Sequence, residues 1–338
     1  MEGITIKQLA KQLNLSVSTV SKAFQDSYDI NPQTRERVLA LAKELNYEPN
    51  PYASSLRKQK SRTIAIILPE IANNFFALAI RGIESVAQEK GFHVLIYLTH
   101  EDHAKEMAFI QHLFHGRVDG VLMSLTDGNQ AHSHIEQLQQ KGLPIVFFDR
   151  IYENLPTVNV TTNDFESGYA ATRHLAQQGC RRIAHLYLSK NLSIANRRKA
   201  GYLQALKDHG LPLDEELIIP CTDDPTHNYS LIGKLLQSPA RPDGLFSSFE
   251  KLALLTYQAC EALQLSIPRD LRIISFSNLE TAPLLNPSLS TITQPAFEIG
   301  KKAASLLFTA LEKGVQSLPS EDVVINSILD IRNSSGRF

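Results

Sequence analysis

Three side chains near the amino terminus carry groups suited to reading the edges of DNA bases. Val17 offers methyl groups, Ser18 a hydroxyl that can donate or accept, and Lys22 a mobile cation. In a major groove they would pack on a thymine methyl, bond a base edge, and reach guanine O6 or N7. Small polar residues suited to phosphate contacts near helix ends accompany them, namely Thr5, Ser16, Thr19, Ser21 and Asn31. The set indicates a nucleic-acid partner.

Three short helices are predicted to position these residues. Thr5 and Gln8 have the spacing of a capping box, and Ser16 can cap a second helix over Val17 to about Phe24. Asn31 followed by proline starts a third helix. Two short helices joined by a tight turn and braced by a third form a helix-turn-helix, whose second helix enters the major groove. An alternative is that Val17 belongs to the core, since apolar residues recur at helical spacing after it.

The first 50 residues resemble the lactose/galactose repressor family, especially in the runs Leu15–Ala23 and Thr34–Leu39. The resemblance assigns base readout to Val17, Ser18 and Lys22. Most members carry arginine where this chain has Lys22, and the lysine keeps the charge but loses the bidentate fork.

The segment 50–57 resembles the hinge helix of the same family. The resemblance implies that Leu56, with Ala53 beside it, is a wedge for the minor groove, and that Asn50 and Ser54 belong to the same contact surface. A leucine inserted between base steps unstacks them and bends the duplex. A helix of about seven residues is too short to be stable alone. We therefore expect it to fold only with DNA and a second copy of the chain.

Composition agrees with a DNA-binding end and a separate body. The 338 residues predict two or three domains. Residues 1–60 contain nine Lys/Arg against six Asp/Glu, whereas the overall charge is −1, so the rest of the chain is acidic. Three distant cysteines (Cys180, Cys221, Cys260) indicate reduced thiols, and we found neither a signal peptide nor a membrane-spanning run. The sequence predicts a cytoplasmic protein.

After residue 62, runs typical of strands alternate with runs typical of helices, beginning at Thr63–Leu68 and forming two similar sets. Such alternation predicts parallel sheets with helices on both faces, and two sets predict two lobes. The body resembles the family's two-lobed α/β core, similar to type I periplasmic sugar-binding proteins. We place the DNA-binding domain at 1–49, the hinge and linker at 50–62, and the core at 63–338. The first lobe is assigned about 63–161 plus 291–320, and the second about 162–290 plus 321–338. Lobe crossings are expected near Thr162, Leu289–Gln294 and Glu321–Val324.

Ligands of open parallel sheets bind beyond the carboxyl ends of the strands, so polar and aromatic residues there are candidates for an effector site. The resemblance implies that Arg198 touches effector, Asp149 holds a hydroxyl and Phe75 stacks on it. An alternative is that Asp149 and Arg150 form an interlobe salt bridge. The complete candidate set is Asn74, Phe75, Asp149, Arg150, Arg198, Phe249, Glu250, Asn278 and Gln294.

Two departures from the family pattern bear on the effector. Sugar-binding and nucleoside-binding members usually carry Asn-Asp where this chain has Phe249-Glu250, and an aspartate near Ser277-Asn278. Phenylalanine cannot bond a sugar hydroxyl, and serine is a shorter, neutral acceptor. An aromatic ligand, a phosphorylated ligand and no ligand at all remain alternatives.

Other classes of function fit less well. No phosphate-binding glycine loop or Cys-x-x-Cys pair is present, so an enzyme is not expected, and no cofactor is implied. Several histidines between residues 100 and 134 resemble metal-ligand spacings, but we predict that they lie on and around a polar helix face and bind no metal. A solute receptor without DNA activity would fit the body but not residues 4–57. The prediction is a DNA-binding transcriptional regulator, most simply a repressor. It would bind a palindromic operator as a homodimer, since the chain shows no apolar heptad tail for a tetramer. A small-molecule effector would control it.

Overall fold

The computed structural model describes residues 4–24, 29–47, 61–113, 117–126, 133–152, 155, 157–188 and 191–336. The chain divides into two compact units, residues 1–61 and 62–338. Within the described residues, no helix combines the length and the apolar composition that crossing a bilayer requires.

The first unit is a three-helix bundle, with α1 at Ile6–Leu13, α2 at Val17–Phe24 and α3 at Pro32–Glu44. The capping box at Thr5 is confirmed, because the Thr5 amide donates to Gln8 Oε1 (2.7 Å) and the Gln8 amide to Thr5 Oγ1 (3.4 Å). Each helix contributes two buried residues to the core, namely Leu9 and Ala10, Val20 and Ala23, and Val38 and Ala42.

The second unit contains two six-stranded sheets, each with helices packed on it. The first sheet has the order β11-β5-β4-β3-β1-β2 and is parallel throughout. Its strands and helices are β1 Thr63–Leu68, α4 Asn74–Glu89, β2 His93–Leu98, α5 His103–Leu113, β3 Gly120–Met123, α6 Ser133–Gln140, β4 Ile145–Phe148, β5 Val158–Thr162, α11 Ala296–Lys313 and β11 Val323–Ile325.

The second sheet has the order β12-β10-β9-β8-β6-β7, in which only the β12 edge is antiparallel. Its elements are α7 Asp164–Gln177, β6 Ile183–Leu188, α8 Ser193–Asp208, β7 Ile218–Cys221, α9 Pro225–Gln237, β8 Gly244–Ser247, α10 Glu250–Ala262, β9 Arg272–Phe276, β10 Ser290–Thr293 and β12 Ile328–Asp330. The three cysteines are buried and unpaired.

The predicted fold class is confirmed, whereas two lobe boundaries were wrong. Strand β10 pairs with β9 and β12, so residues 290–293 belong to the second lobe, not the first. Strand β11 pairs with β5, so residues 323–325 belong to the first lobe. The chain therefore crosses from one lobe to the other near residues 163, 294–295 and 326–327. Strand pairing, which decides the lobe, is not visible in the local pattern of the sequence.

In each lobe, two helices cross with their backbones in contact. Gly82 on α4 and Gly300 on α11 form one crossing, and Gly168 on α7 and Gly201 on α8 form the other. A Cβ atom on any of these glycines would overlap backbone atoms of the partner helix, including the carbonyl oxygens of Phe297, Ala79, Arg198 and Phe165. The α7–α8 crossing holds Arg198 at a set distance from α7.

Candidate functional site

Helix α2 exposes the side chains predicted to read bases. Val17 is 37% exposed, and Ser18 and Lys22 are exposed, whereas Val20 and Ala23 on the opposite side are buried. This placement argues against the alternative in which Val17 packs in the core. In the free protein, Lys22 Nζ lies 3.3 Å from Asp29 Oδ2. Both partners are well exposed, so the pair is weak and a DNA group can compete for the lysine.

The residues predicted to contact phosphates cluster at helix amino termini. Ser16 Oγ accepts from the Thr19 amide (3.1 Å) and lies 2.7 Å from the hydroxyls of Ser18 and Thr19. Asn31 Oδ1 accepts from the Gln33 amide (2.9 Å). These side chains, like Thr5, organise helix ends whose backbone amides attract anions. Ser21 is half-buried on α2. The hinge residues Asn50, Ala53, Ser54 and Leu56 lie outside the described residues.

The candidate effector residues converge in the cleft between the two lobes. Eight of the nine line one small cavity, and they lie just beyond β4, β8, β9 and β10 or on helices that face these strand ends. Asn74 does not line it; its neighbour Asn73, which caps α4 by accepting from the Phe75 amide (2.9 Å), does. The cavity has five further lining residues that were not among the candidates, namely Phe76, Ile194, Ser248, Phe276 and Ser277. Most of these adjoin a predicted site residue or end a strand, which is the signal that was available.

Arg198 is the most constrained cation in the cleft. Its Nε donates to Asp164 Oδ1 (2.7 Å) and its Nη1 to the Ser248 carbonyl (2.7 Å). Its guanidinium carbon lies 3.6 Å from the centre of the Phe276 ring. The residue is 2% exposed, yet Nη2 has no hydrogen-bond partner. A buried, unpaired guanidinium N–H is costly, so this atom is available for a ligand acceptor.

Asp149 and Arg150 form a long ion pair within the first lobe, not the interlobe salt bridge given as an alternative. Arg150 Nη1 donates to both carboxylate oxygens of Glu101 (2.9 and 3.0 Å), which belongs to the same lobe. Its Nε is 3.9 Å from Asp149 Oδ2, too far for a hydrogen bond. Burial raises the pKa of Asp149 to about 6, although Arg150 and Arg198 oppose the shift. The Asp149 carboxyl also accepts one long hydrogen bond, from Gln294 Nε2 (3.5 Å), and is therefore not committed to a strong partner.

The two positions at which the sequence departs from the family pattern, Phe249-Glu250 and Ser277-Asn278, are in contact in the structure. Ser277 Oγ donates to Glu250 Oε2 (2.9 Å), so α10 places a carboxylate against the carboxyl end of β9. Burial raises the pKa of this glutamate, and the bond from Ser277 opposes the shift. Next to it, Asn278 Nδ2 donates to the Gln294 carbonyl (2.6 Å), while the buried Asn278 Oδ1 has no partner. The carboxylate missing near residue 277 is thus supplied by Glu250.

The cleft is nearly filled. Phe249 packs on Leu192, Ile194 and Ala195, and the inner cavity has a volume of only about 30 Å³, enough for one or two waters. A wider cavity of about 290 Å³ opens on the other side of Phe249 and Glu250. The lobes also touch directly, because Lys251 Nζ lies 2.6 Å from Glu70 Oε2 and the Ile151 amide donates to Ser193 Oγ (3.2 Å).

A helix-turn-helix unit with an exposed polar face, on one chain with a two-lobed body and a polar cleft, defines a class of DNA-binding regulators built on a sugar-binding fold. Residues 5–50 match the family model for bacterial regulatory proteins of the lacI family. Residues 61–327 match the model for periplasmic binding proteins and the sugar binding domain of the LacI family. The chain belongs to the lacI family of bacterial regulatory proteins.

Named relatives cover nearly all of the chain. The ribose operon repressor of Haemophilus influenzae is 32% identical over 91% of this chain and 92% of that protein. Catabolite control protein A of Priestia megaterium is 27% identical over 98% of this chain and 99% of that protein. A solved LacI family transcriptional regulator from Enterococcus faecium with bound ribose is 27% identical, with a TM-score of 0.73 over 81% of this chain and 98% of that chain. These relatives are transcriptional regulators rather than enzymes.

Proposed function

We propose that this protein is a cytoplasmic, non-catalytic transcriptional repressor that binds a palindromic operator as a homodimer and responds to a small hydroxylated effector in the cleft. The observation that carries the proposal is the outward face of α2, where Val17, Ser18 and Lys22 are exposed above a buried core. Several relatives are named as repressors, which favours repression over activation.

On the operator, α2 lies in the major groove. Val17 and Ser18, in its first turn, contact base edges, and Lys22 leaves Asp29 to reach a guanine. The amino-terminal ends near Thr5, Ser16, Thr19, Ser21 and Asn31 contact phosphates and set the register. Leu56, flanked by Ala53, bends the duplex from the minor groove, with Asn50 and Ser54 completing the hinge contacts. The assignment of the hinge rests on the resemblance of the sequence.

The unpaired atoms of the cleft suggest the chemistry of the effector. Arg198 Nη2 needs an acceptor and Asn278 Oδ1 needs a donor. The Asp149 carboxyl, which accepts a long bond from Gln294 (3.5 Å), has room for a further donor. A molecule bearing several hydroxyls provides both, since each hydroxyl donates and accepts. Phe75 and Phe276 supply apolar faces for its carbon skeleton. The relative from Enterococcus faecium holds ribose, which supports a sugar or sugar derivative.

Admission of such a ligand requires movement, because the inner cavity is far smaller than a monosaccharide. The lobes open at the Lys251–Glu70 contact and Phe249 swings from its place on Ile194. The ligand shifts the lobe equilibrium only by its difference in affinity for the two arrangements. The change in lobe spacing then alters the two hinge segments of the dimer and hence operator affinity.

Dimerisation is supported by the edge of the first sheet. Among the strands that the structure describes, β2 pairs only with β1, and Leu95 and Ile96 on it are 41% and 40% exposed. Adjacent apolar side chains on an uncovered edge strand are unusual in a monomer, because such edges promote association. A second copy of the chain would cover them, and it would also supply the second helix-turn-helix that a palindrome needs.

The DNA half of the proposal is tested by selecting an operator from random duplexes with the full chain and measuring its affinity. Lys22→Ala should relax preference at one base pair of each half-site, with a loss of about 1–3 kcal/mol. Lys43→Ala, in the last turn of α3, is the charge-matched control. Failure to enrich any sequence, or an equal loss with the control, would contradict base reading by α2.

The effector half is tested by thermal shift with a panel of sugars, sugar acids and sugar phosphates. A true effector raises Tm by mass action and changes operator affinity. The double variant Asp164→Asn/Arg198→Gln removes the buried ion pair without leaving a lone charge, and it should abolish the shift. Lys207→Gln, exposed on the same helix, should keep it. An unchanged shift in the double variant would rule out contact between Arg198 and the ligand.

A further inference from the structure

Three side chains of the first lobe converge outside the residues that line the cleft. His103 and Glu106 lie one turn apart on α5, and His134 approaches them from α6. Glu106 Oε1 is 3.1 Å from His134 Nε2 and 3.7 Å from His103 Nδ1, and all three ligand atoms lie within 4.8 Å of one another.

The cluster is buried and its hydrogen bonding is incomplete. Glu106 is fully buried, and the side chains of His134 and His103 are only 6% and 16% exposed. His103 Nδ1, which points at the carboxylate, has no hydrogen-bond partner. Buried polar atoms are nearly always satisfied, so the unpaired nitrogen beside this carboxylate is available to a ligand shared by the three side chains.

We propose that His103, Glu106 and His134 bind a Zn²⁺ ion. Two imidazoles and one carboxylate form a known zinc donor set, with bonds of about 2.0–2.2 Å and a fourth position for water. Those bond lengths place tetrahedral ligand atoms about 3.3–3.5 Å apart, and the observed 3.1 and 3.7 Å bracket that spacing.

The second shell of the carboxylate is already arranged for this role. Glu106 Oε2 accepts from the Thr126 amide (3.1 Å), which holds the other oxygen toward the histidines. Such contacts orient metal ligands and raise their affinity. The helix that carries two ligands is itself fixed, because Asp102 Oδ1 accepts from the Ala104 amide (2.8 Å) at its start.

This site corrects the expectation that the histidines lie on and around a polar helix face. His112, one of those histidines, is exposed on α5, but His103 and His134 turn inward. They are 31 positions apart in the sequence, so no short spacing motif joins them. The tertiary pairing of α5 with α6 creates the set.

A bound ion would tie the amino-terminal ends of α5 and α6 together beside the cleft. Glu101, two residues before His103, holds Arg150, and the Leu125 amide donates to the Arg150 carbonyl (3.2 Å) next to Thr126. The ion therefore stabilises both segments that position Arg150. This role does not depend on the identity of the effector.

The test uses untagged full-length protein, stripped with a chelator and then titrated with Zn²⁺ against a competing chromophoric chelator. We expect one tightly held zinc per chain and a higher Tm with zinc than without it. His103→Gln and His134→Gln should each weaken binding at least tenfold and remove the Tm increase, whereas His112→Gln should change neither.

Binding of Co²⁺ gives a second readout, because a low-symmetry site produces visible absorption that both inner variants should lose. Tight zinc binding that survives both variants would place the metal elsewhere and overturn the proposal. Failure of wild-type protein to hold zinc would overturn it as well. If His134→Gln does not fold, His103→Gln, at the more exposed position, decides the outcome.

Discussion

The pKa of Asp149 reflects both the burial and the positive charges of the cleft. It follows β4 with a left-handed backbone (φ 62°), which turns its carboxyl into a buried region between Arg150 and Arg198. Burial disfavours the ionised form more than the two guanidinium groups favour it, so the pKa rises to about 6 from the usual 3.8. Between pH about 4 and 6, the folded state thus retains a proton that the unfolded chain releases.

That proton predicts a pH dependence of stability. A raised carboxyl pKa contributes stability below pH about 4, and the contribution is lost as pH rises through about 6. A shift of about two pKa units corresponds to about 3 kcal/mol. Asp149→Asn should therefore lose less stability than the wild type between pH 4.5 and 7, by about 2 kcal/mol, in urea unfolding. The control is Asp208→Asn, at an exposed position at the end of α8. An unaltered pH profile in Asp149→Asn would contradict the assignment of the raised pKa.

The orientation of the Arg198 side chain in the cleft is set by its hydrogen-bond partners. Its Asp164 partner and the Ser248 carbonyl come from α7 and from the end of β8, 34 and 50 positions away. The local pattern Arg198-Lys199-Ala200-Gly201 suggested a ligand contact, but not these partners. They leave Nη2 as the unpartnered nitrogen of this guanidinium, next to the cleft.

At the scale of elements, glycines set the helix crossings that place the site. Gly201 lies one turn after Arg198, where α8 meets the backbone of α7 at Phe165 and Tyr169. Because no side chain separates the two backbones, Arg198 can reach Asp164 on α7. Local propensity would disfavour a mid-helix glycine, and close packing explains its presence.

Replacement of that glycine should therefore be costly. Gly201→Ala forces the helices apart and should lower the free energy of unfolding by about 1–3 kcal/mol or more. It should also weaken effector-induced Tm shifts, because Arg198 moves with α8. Gly233→Ala on α9 meets no atom within 4 Å and should be neutral or stabilising by up to about 1 kcal/mol. Chemical unfolding of both variants makes the comparison, and equal effects would exclude the packing role.

The first strand was predicted better than several of the helices. The run 63–68 was predicted with the bounds that the structure has, since a continuous apolar run bounded by turns is a local signal. No helix was assigned to 133–140, 225–237, 250–262 or 296–313, although all four are helical. Because the helix at 133–140 was not predicted, the inward position of His134, a proposed zinc ligand, was not predicted either.

At the scale of the whole molecule, association of two chains should depend on the β2 edge. Leu95→Arg places a charge among apolar side chains that a partner would cover, so it should convert dimer to monomer at micromolar concentration in sedimentation experiments. Operator affinity should fall at least tenfold, because a single module covers only a half-site. Leu213→Arg, at a 58% exposed leucine outside the sheets, is the control. A dimer that withstands Leu95→Arg would place the interface elsewhere.

The sequence by itself determined the parts whose causes are local. The capping side chains of Thr5, Ser16 and Asn31 bond to amides no more than three positions away, and each strand that the structure describes has at most six residues. The DNA-reading unit and the α/β class could therefore be predicted from local sequence. Asp149, Arg150 and Gln294 could also be placed in the cleft, because strand ends in parallel sheets share one edge, whereas Arg198 was implied by the resemblance to the family.

Only the tertiary structure decided how distant residues combine. It paired β10 and β11 with the lobes opposite to those expected, and it brought Glu250 to Ser277 and His134 to Glu106. These contacts join elements far apart in the chain, and their stability comes from packing and burial that no local pattern records. The identity of the cleft's free hydrogen-bonding atoms, and hence the chemistry of its ligand, is a property of the folded chain.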